Sequence, residues 1–114
     1  MMSSRAGEGE EKKTVSLTIS FGDGVEKRFT ALAWKEGLTI LAALELAQEH
    51  ARGIKFKSRG KNETTLLLEI DGLSNGTHDK YWVYSVNGKE GDCSCALVKL
   101  QPSDAILWKF STYP

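Results

Sequence analysis

Tyr81-Trp82-Val83-Tyr84-Ser85-Val86-Asn87-Gly88 and, after a short polar stretch, Leu100-Gln101-Pro102-Ser103-Asp104-Ala105-Ile106-Leu107-Trp108-Lys109-Phe110 decide the fold class of this chain. Both are aromatic-rich strand patterns. With a period of two, Trp82, Tyr84 and Val86 share one face of the first strand, and Tyr81, Val83, Ser85 and Asn87 share the other. Asn87-Gly88 supplies the positive φ angles of a tight hairpin turn. Pro102-Ser103-Asp104 reads as a type I turn, with Pro fixing φ at its first central position. Ala105 to Phe110 is then the final strand.

Upstream, Leu66, Leu68 and Ile70 alternate as a third strand closed by Asp71-Gly72, and Ser74-Asn75-Gly76-Thr77 reads as loop. Leu97 to Leu100 has the length of a short strand. Lys55 to Asn62 is a polar connection. Leu38 to Arg52 carries the one helical period: Ile40, Leu41, Leu44, Ala47 and Ala51 fall on one face, with Glu45 and Glu49 off it. Thr39 is its expected N-cap, and Gly53 its expected left-handed C′ residue with Ile54 folding back. At the start, Val15, Leu17, Ile19 and Phe21 alternate with Thr14, Ser16, Thr18 and Ser20. Gly22-Asp23-Gly24 turns the chain, and Val25 to Thr30 returns as an edge strand carrying Glu26, Lys27 and Arg28.

The chain has 114 residues, room for one domain. The expected organisation is a polar tail over residues 1–13 and a domain over residues 14–114. Residues 1–13 offer little apolar surface to offset the entropy of ordering them. Fifteen basic residues balance fifteen acidic ones, whereas generic nucleic-acid binding needs a basic excess. No apolar run approaches the ~20 residues of a membrane span or forms a signal core, so the chain reads as soluble, in the cytosol or outside it. Two cysteines do not make a disulfide scaffold. A hairpin, one helix and three or four further strands make a two-layer α+β domain, because one amphipathic helix covers only one sheet face. The arrangement expected is a β-grasp, ubiquitin-like fold: a mixed sheet of four to five strands, one helix on one face, and the first and last strands side by side in the centre.

At these residues the chain resembles the bacterial β-grasp domains of unknown function that are similar to the C-terminal domain of transcobalamin and intrinsic factor. The resemblance rests on Trp82-Val83-Tyr84-Ser85-Val86-Asn87-Gly88, Pro102-Ser103-Asp104 and Trp108-Lys109-Phe110. Ile19-Ser20-Phe21-Gly22-Asp23-Gly24, Trp34-Lys35-Glu36-Gly37-Leu38-Thr39-Ile40-Leu41 and Ile70-Asp71-Gly72 extend it over residues 14–113. The family usually has glycine where this chain has Ser103, a change that is tolerated outside the left-handed region. Cys93-Ser94-Cys95 is not a family hallmark. The resemblance implies the fold, and it implies cobalamin as a cofactor only in partnership with a helical domain that these residues do not contain. It also leaves an extracytoplasmic location open.

The function expected is a non-enzymatic binding module that contacts a protein or small ligand through a sheet face and its loops. Tyr81, Asn87, Gly88 and Trp34 are the candidate contacts, since aromatics on open faces anchor partners. The structural reading of Trp82 and its face is core. The first alternative is corrinoid binding as one half of a two-part site. The second is a thiol enzyme or metal site at Cys93, Cys95 and His78, although the spacing of structural zinc sites is missing. Cysteines at i and i+2 of an extended strand stand ~6.6 Å apart on one face, too far for their β-carbons to reach bonding separation, so a disulfide needs a tight turn at Gly91-Asp92. His50 at the helix end is explained by the macrodipole. Lys55, Lys57, Arg59 and Lys61 form the one basic cluster, read as a solvated loop or a weak anion contact. Asn62-Glu63-Thr64 and Asn75-Gly76-Thr77 match the glycosylation acceptor pattern.

Overall fold

The computed structural model describes residues 13–112. The expected tail falls almost wholly outside the described residues, as do residues 113–114. The fold is mixed α+β, with one α-helix and two sheets among the described residues. The strands are β1 (Thr14–Ser20), β2 (Glu26–Ala33), β3 (Phe56–Arg59), β4 (Leu66–Ile70), β5 (Leu73–Ser74), β6 (Lys80–Val86), β7 (Lys89–Glu90) and β8 (Ala105–Thr112). The helix α1 spans Ile40–Gln48.

The larger sheet has the order β2-β1-β8-β6-β7. β1 pairs antiparallel with β2 and parallel with β8, with Leu17 opposite Ile106 and Ile19 opposite Trp108. The first and last strands therefore lie side by side, as expected. Val15, Leu17 and Ile19 of β1 and Ile106, Trp108 and Phe110 of β8 are buried on one face with Ile40, Ala43, Leu44 and Ala47 of α1. Serine and threonine occupy the alternate positions of β1 and are half-buried on the opposite face.

The helix is shorter than its periodicity suggested. It ends at Gln48, Ala51 is exposed beyond it, and Leu41 is only half-buried. Thr39 is the N-cap and accepts from the Ala42 N–H at 3.1 Å. Ile40 N–H donates to the Val98 carbonyl, Leu41 N–H to Cys95 and Ala43 N–H to Thr39. The N–H groups of Ile40, Leu41 and Ala42, which a helix start leaves without intrahelical partners, are thus satisfied, and Ala43 makes the first intrahelical bond. Gly53 is not in the left-handed region. A Cβ there would overlap the Ala47 carbonyl oxygen, so glycine is needed for a close approach.

The smaller sheet, β3-β4-β5, corrects three expectations. The Lys55–Asn62 connection contains a strand, β3, hidden from pattern reading because only Phe56 faces inward. The presumed loop at Ser74 begins as β5. In β4 the buried residues are Leu67 and Ile70, while Leu66 is 47% exposed. A register shift opposite Lys57 and Ser58 puts Leu68 into a bulge, and the bulge inverts the alternation. Leu97–Leu100 is not a strand; only a Thr39–Lys99 bridge forms there.

Asn75 joins the two sheets. Its Nδ2 donates to the Leu67 carbonyl of β4 at 2.7 Å, and its Oδ1 accepts the Trp82 N–H of β6 at 2.8 Å. Trp82 Nε1 adds a bond to the Leu73 carbonyl at 2.8 Å. The turn Gln101-Pro102-Ser103-Asp104 is type II, not type I. Asp104 N–H bonds the Gln101 carbonyl while Ser103 adopts φ 73°, a region that costs a residue with a Cβ on the order of 1 kcal/mol.

Two predictions follow from these geometries. Asn75→Ala leaves a carbonyl and an N–H without partners and lowers unfolding free energy by about 2 kcal/mol or more in urea denaturation, whereas Asn75→Asp, which keeps the acceptor, loses less. Ser103→Gly raises it by about 0.5–1 kcal/mol, and Ser103→Ala gives no gain.

Candidate functional site

The outer edge of β6 is only partly paired. Beyond the short β7 hairpin, the Tyr84 carbonyl accepts Gly91 N–H at 3.0 Å, and Trp82 N–H is taken by Asn75. Between this edge and the Glu63–Leu67 segment lies a cleft of about 630 Å³. Trp82, Tyr84, Trp108, Leu67 and Cys95 give it aromatic and apolar walls. Its charged lining residues are Glu63, Glu90 and Asp92, all exposed, and no lysine, arginine or histidine lines it.

The wall formed by residues 90–95 is held at four points. Tyr84 Oη donates to the Cys93 carbonyl at 2.6 Å. Gly91 lies so close to the Tyr84 ring that a Cβ would overlap it. The Ser94 hydroxyl reaches the carbonyls of Asn62 and Thr65 at 2.9 and 3.0 Å. The Cys95 carbonyl, bound to Leu41 N–H, ties the same loop to the helix start. Burial is the main reason the Tyr84 phenol is pushed up to about 12, with the adjacent Cys93 thiol adding to it. Burial also pushes the Cys95 thiol up. Both groups are therefore neutral at neutral pH.

Trp108 completes the lining and is 3% exposed. Its ring meets Tyr84 edge to face, with centroids 5.3 Å apart. Its Nε1 is the one buried side-chain polar atom among the described residues with no hydrogen-bond partner. Such an orphan costs on the order of 1–3 kcal/mol, so it calls for an explanation.

The four residues expected to make contacts lie elsewhere. Trp34 donates Nε1 to the Leu100 carbonyl at 2.7 Å, and Lys13 stands 5.6 Å from its ring centroid. Asn87 spends its side chain on Asp104 Oδ1 and Ala105 N–H, both at 2.9 Å. Gly88 forms the hairpin tip and lines a shallow hollow with Val83, Ser85, Leu107 and Lys109. Trp34 and the Asn87-Gly88 turn thus converge on the 100–105 connection, while Tyr81 lies at the other end of β6 opposite Ser111. Cys93 is exposed, Cys95 is buried, and both are free thiols. Among the described residues no group of three or more His, Cys, Asp or Glu is placed to hold a metal, so His78 does not complete a set with them. Lys57 pairs loosely with Glu69 at 3.9 Å. The Asn75 amide is engaged and half-buried, which leaves exposed Asn62 as the better-placed glycosylation acceptor. No helix among the described residues is long and apolar enough to cross a membrane. Sequence reading placed Trp82 and Tyr84 in the core and passed over the cleft they line. Cys93-Ser94-Cys95, the family departure, was its one local signal.

The raised phenol gives a pH test. The folded chain keeps the Tyr84 proton after the unfolded chain has lost it, so the stability Tyr84 confers is full below pH 10 and is lost as pH rises towards 12. Tyrosinate absorbance should show a late-titrating component that Tyr84→Phe removes. If all three tyrosines ionise together near 10 in the folded protein, the buried Tyr84–Cys93 contact is wrong.

Comparison with known proteins places this geometry. The structure is similar to haptocorrin, solved in complex with Cbi, with a TM-score of 0.73 and 19% identity over 88% of this chain. The chain spans 25% of haptocorrin's length. It is also similar to a proposed metal-binding protein from Ruminococcus gnavus ATCC 29149, with a TM-score of 0.64 and 13% identity, covering 90% of this chain and 100% of that one. At these identities the likeness is one of fold. No curated protein matches the chain. A family model matches residues 37–112, which include α1, β6, the 90–95 wall and all of β8, and on that match the chain belongs to DUF4430, a domain family of unknown function.

Proposed function

We propose that this chain is a non-enzymatic binding module of the β-grasp type that takes a small ligand in the cleft beside β6. The parallel pairing of β1 and β8 with a helix over one sheet face supports the β-grasp part of the reading. The observation that carries the binding part is a cleft of about 630 Å³ beside β6 with aromatic and apolar walls. That volume falls within the range of small-molecule pockets, roughly 300–1,000 Å³, and apolar, aromatic walls are typical of them. Tyr81, Asn87, Gly88 and Trp34 lie outside the cleft and have no part in this reading.

A second reading is favoured by the likeness to haptocorrin: corrinoid binding, with this domain as one half of a two-part site. A cobalamin titration followed by visible absorbance separates it from the first. The thiol or metal reading at Cys93, Cys95 and His78 gains nothing from the geometry, since those residues form no ligand set.

Cys93 offers a direct test because it is an exposed thiol that lines the cleft. A small-molecule panel, screened by thermal shift and calorimetry, should yield ligands whose affinity falls at least about tenfold after Cys93 is alkylated with N-ethylmaleimide, a loss of about 1.4 kcal/mol. Binding untouched by alkylation, or substrate turnover by the unmodified protein, would overturn the reading.

A further inference from the structure

The cleft is one-sided in charge. Glu63 comes from the 63–67 segment and Glu90 and Asp92 from the 90–95 wall, and no lysine, arginine or histidine joins them in the lining. The whole chain carries fifteen basic and fifteen acidic residues, so this excess of acid is local. Among the described residues the ion pairs are Lys27–Asp71, Arg28–Glu26 and Lys57–Glu69, and none of them uses a carboxylate of the cleft. Leu66 stands in the same lining and is 47% exposed. Among the described residues three large apolar side chains are exposed, Val25, Leu66 and Leu97, and of these Leu66 is the one at the cleft. Resting on the binding-module reading, we infer that the cleft takes an amphipathic organic cation: an ammonium or guanidinium group carried on an apolar body.

Each part of that description has its own cause. A lone carboxylate on a solvated loop attracts little. Three of one sign around a concave, apolar-walled mouth add their fields, and such walls focus the field into the opening. Lys61 and Lys89 adjoin the acids in the chain, but both are exposed and lie outside the lining. An anion entering the cleft meets repulsion as it loses its water, and a cation is drawn in. The cation is organic because, among the described residues, no three acids, cysteines or histidines are placed to hold a metal ion. Carboxylates spaced too widely to coordinate one ion can still each accept a charge-assisted hydrogen bond from an ammonium or guanidinium. The apolar body follows from Leu66 with Leu67 and Val83 beside it: hydrocarbon laid on an exposed leucine takes both surfaces out of water.

Three probes with one ring and one chain length separate these causes: 3-phenylpropylamine, 3-phenylpropanol and 3-phenylpropanoate. The readout is the backbone amide resonances of Leu66 and Ser94 in nitrogen-proton correlation spectra of the labelled, intact chain. At low salt the amine is expected to move them saturably and to bind about five- to tenfold more tightly than the alcohol, and the alcohol more tightly than the carboxylate. In about 0.5 M salt, where charges are screened beyond ~4 Å, the advantage of the amine should shrink to about twofold or less. Glu63→Gln, Glu90→Gln and Asp92→Asn made together are surface exchanges that folding tolerates, and they should bring the amine down to the affinity of the alcohol. Leu66→Ser should weaken amine and alcohol alike, by about threefold or more. Equal binding of amine and alcohol, tighter binding of the carboxylate, or an amine preference that survives in the triple variant would overturn the charge assignment. Unchanged binding to Leu66→Ser would overturn the apolar one. In each of these cases the module reading survives. Calcium that saturates the same resonances and displaces the amine would also overturn the inference, since the carboxylates would then serve a metal. If no probe moves a cleft resonance, the inference falls, and the module reading is then decided by whether the panel yields an alkylation-sensitive ligand.

Discussion

Everything in this molecule depends on two distant stretches of chain meeting as parallel neighbours at the centre of a sheet. Leu17 faces Ile106 and Ile19 faces Trp108 across the β1–β8 pair. Parallel strands cannot be joined by a tight turn, so the whole of the intervening chain is the crossover. That crossover contains the helix, the smaller sheet and the 90–95 wall. The core that α1 covers and the cleft beside β6 are thus two results of one closure. Because the central contacts are between residues far apart in sequence, their loop entropy is lost before the apolar burial is gained, which predisposes such a topology to slow folding.

The two ends of α1 are treated differently, and the difference shapes the cleft. Its N-terminal N–H groups are filled by Thr39 and by the carbonyls of Cys95 and Val98. The segment that follows β7 is therefore drawn in under the helix start instead of running along β6. Because the segment leaves the strand there, the edge of β6 near Trp82 and Tyr84 is open to a space that the smaller sheet bounds on its far side. An open edge is a hazard for unwanted strand pairing. Here Asn75 and Gly91 occupy hydrogen-bonding groups along it, and the acidic rim guards the rest.

Much of the larger sheet was legible in the amino-acid order. β1, β6 and β8 each bury one face, so each carries a period-two pattern, and Thr39 announces the helix start. What escaped reading has physical causes. β3 turns only Phe56 inward, so its lysines and arginine look like loop. In β4 a bulge at Leu68 exchanges inside for outside, and straightforward alternation then names the wrong leucines. At the last turn, serine stands where the left-handed region favours glycine, which disguised the turn type. Beyond Cys93-Ser94-Cys95 the cleft was not legible, since its walls come from residues 63–67, 82–84 and 90–95 and from β8. Trp108 is both core and lining, and a pattern of hydrophobic residues cannot separate those two roles. Tyr81, Asn87, Gly88 and Trp34 drew attention because turns and aromatics are conspicuous, but the amide of Asn87 and the indole N–H of Trp34 are occupied in holding the fold.

Asn75 and Asn87 share a further property: each is followed by glycine. In a loose chain that pairing is chemically fragile, because the unhindered glycine nitrogen can attack the asparagine amide, expel ammonia and leave aspartate or its isomer. In the native state both amides are pinned, one between two sheets and the other against Asp104 and Ala105. Folding therefore works as a preservative at both places. A molecule that has spent long periods open acquires a permanent negative charge at the joint between its sheets, where the donor to the Leu67 carbonyl had been, and that lesion makes reopening easier. Chemical ageing and unfolding reinforce each other through a single side chain.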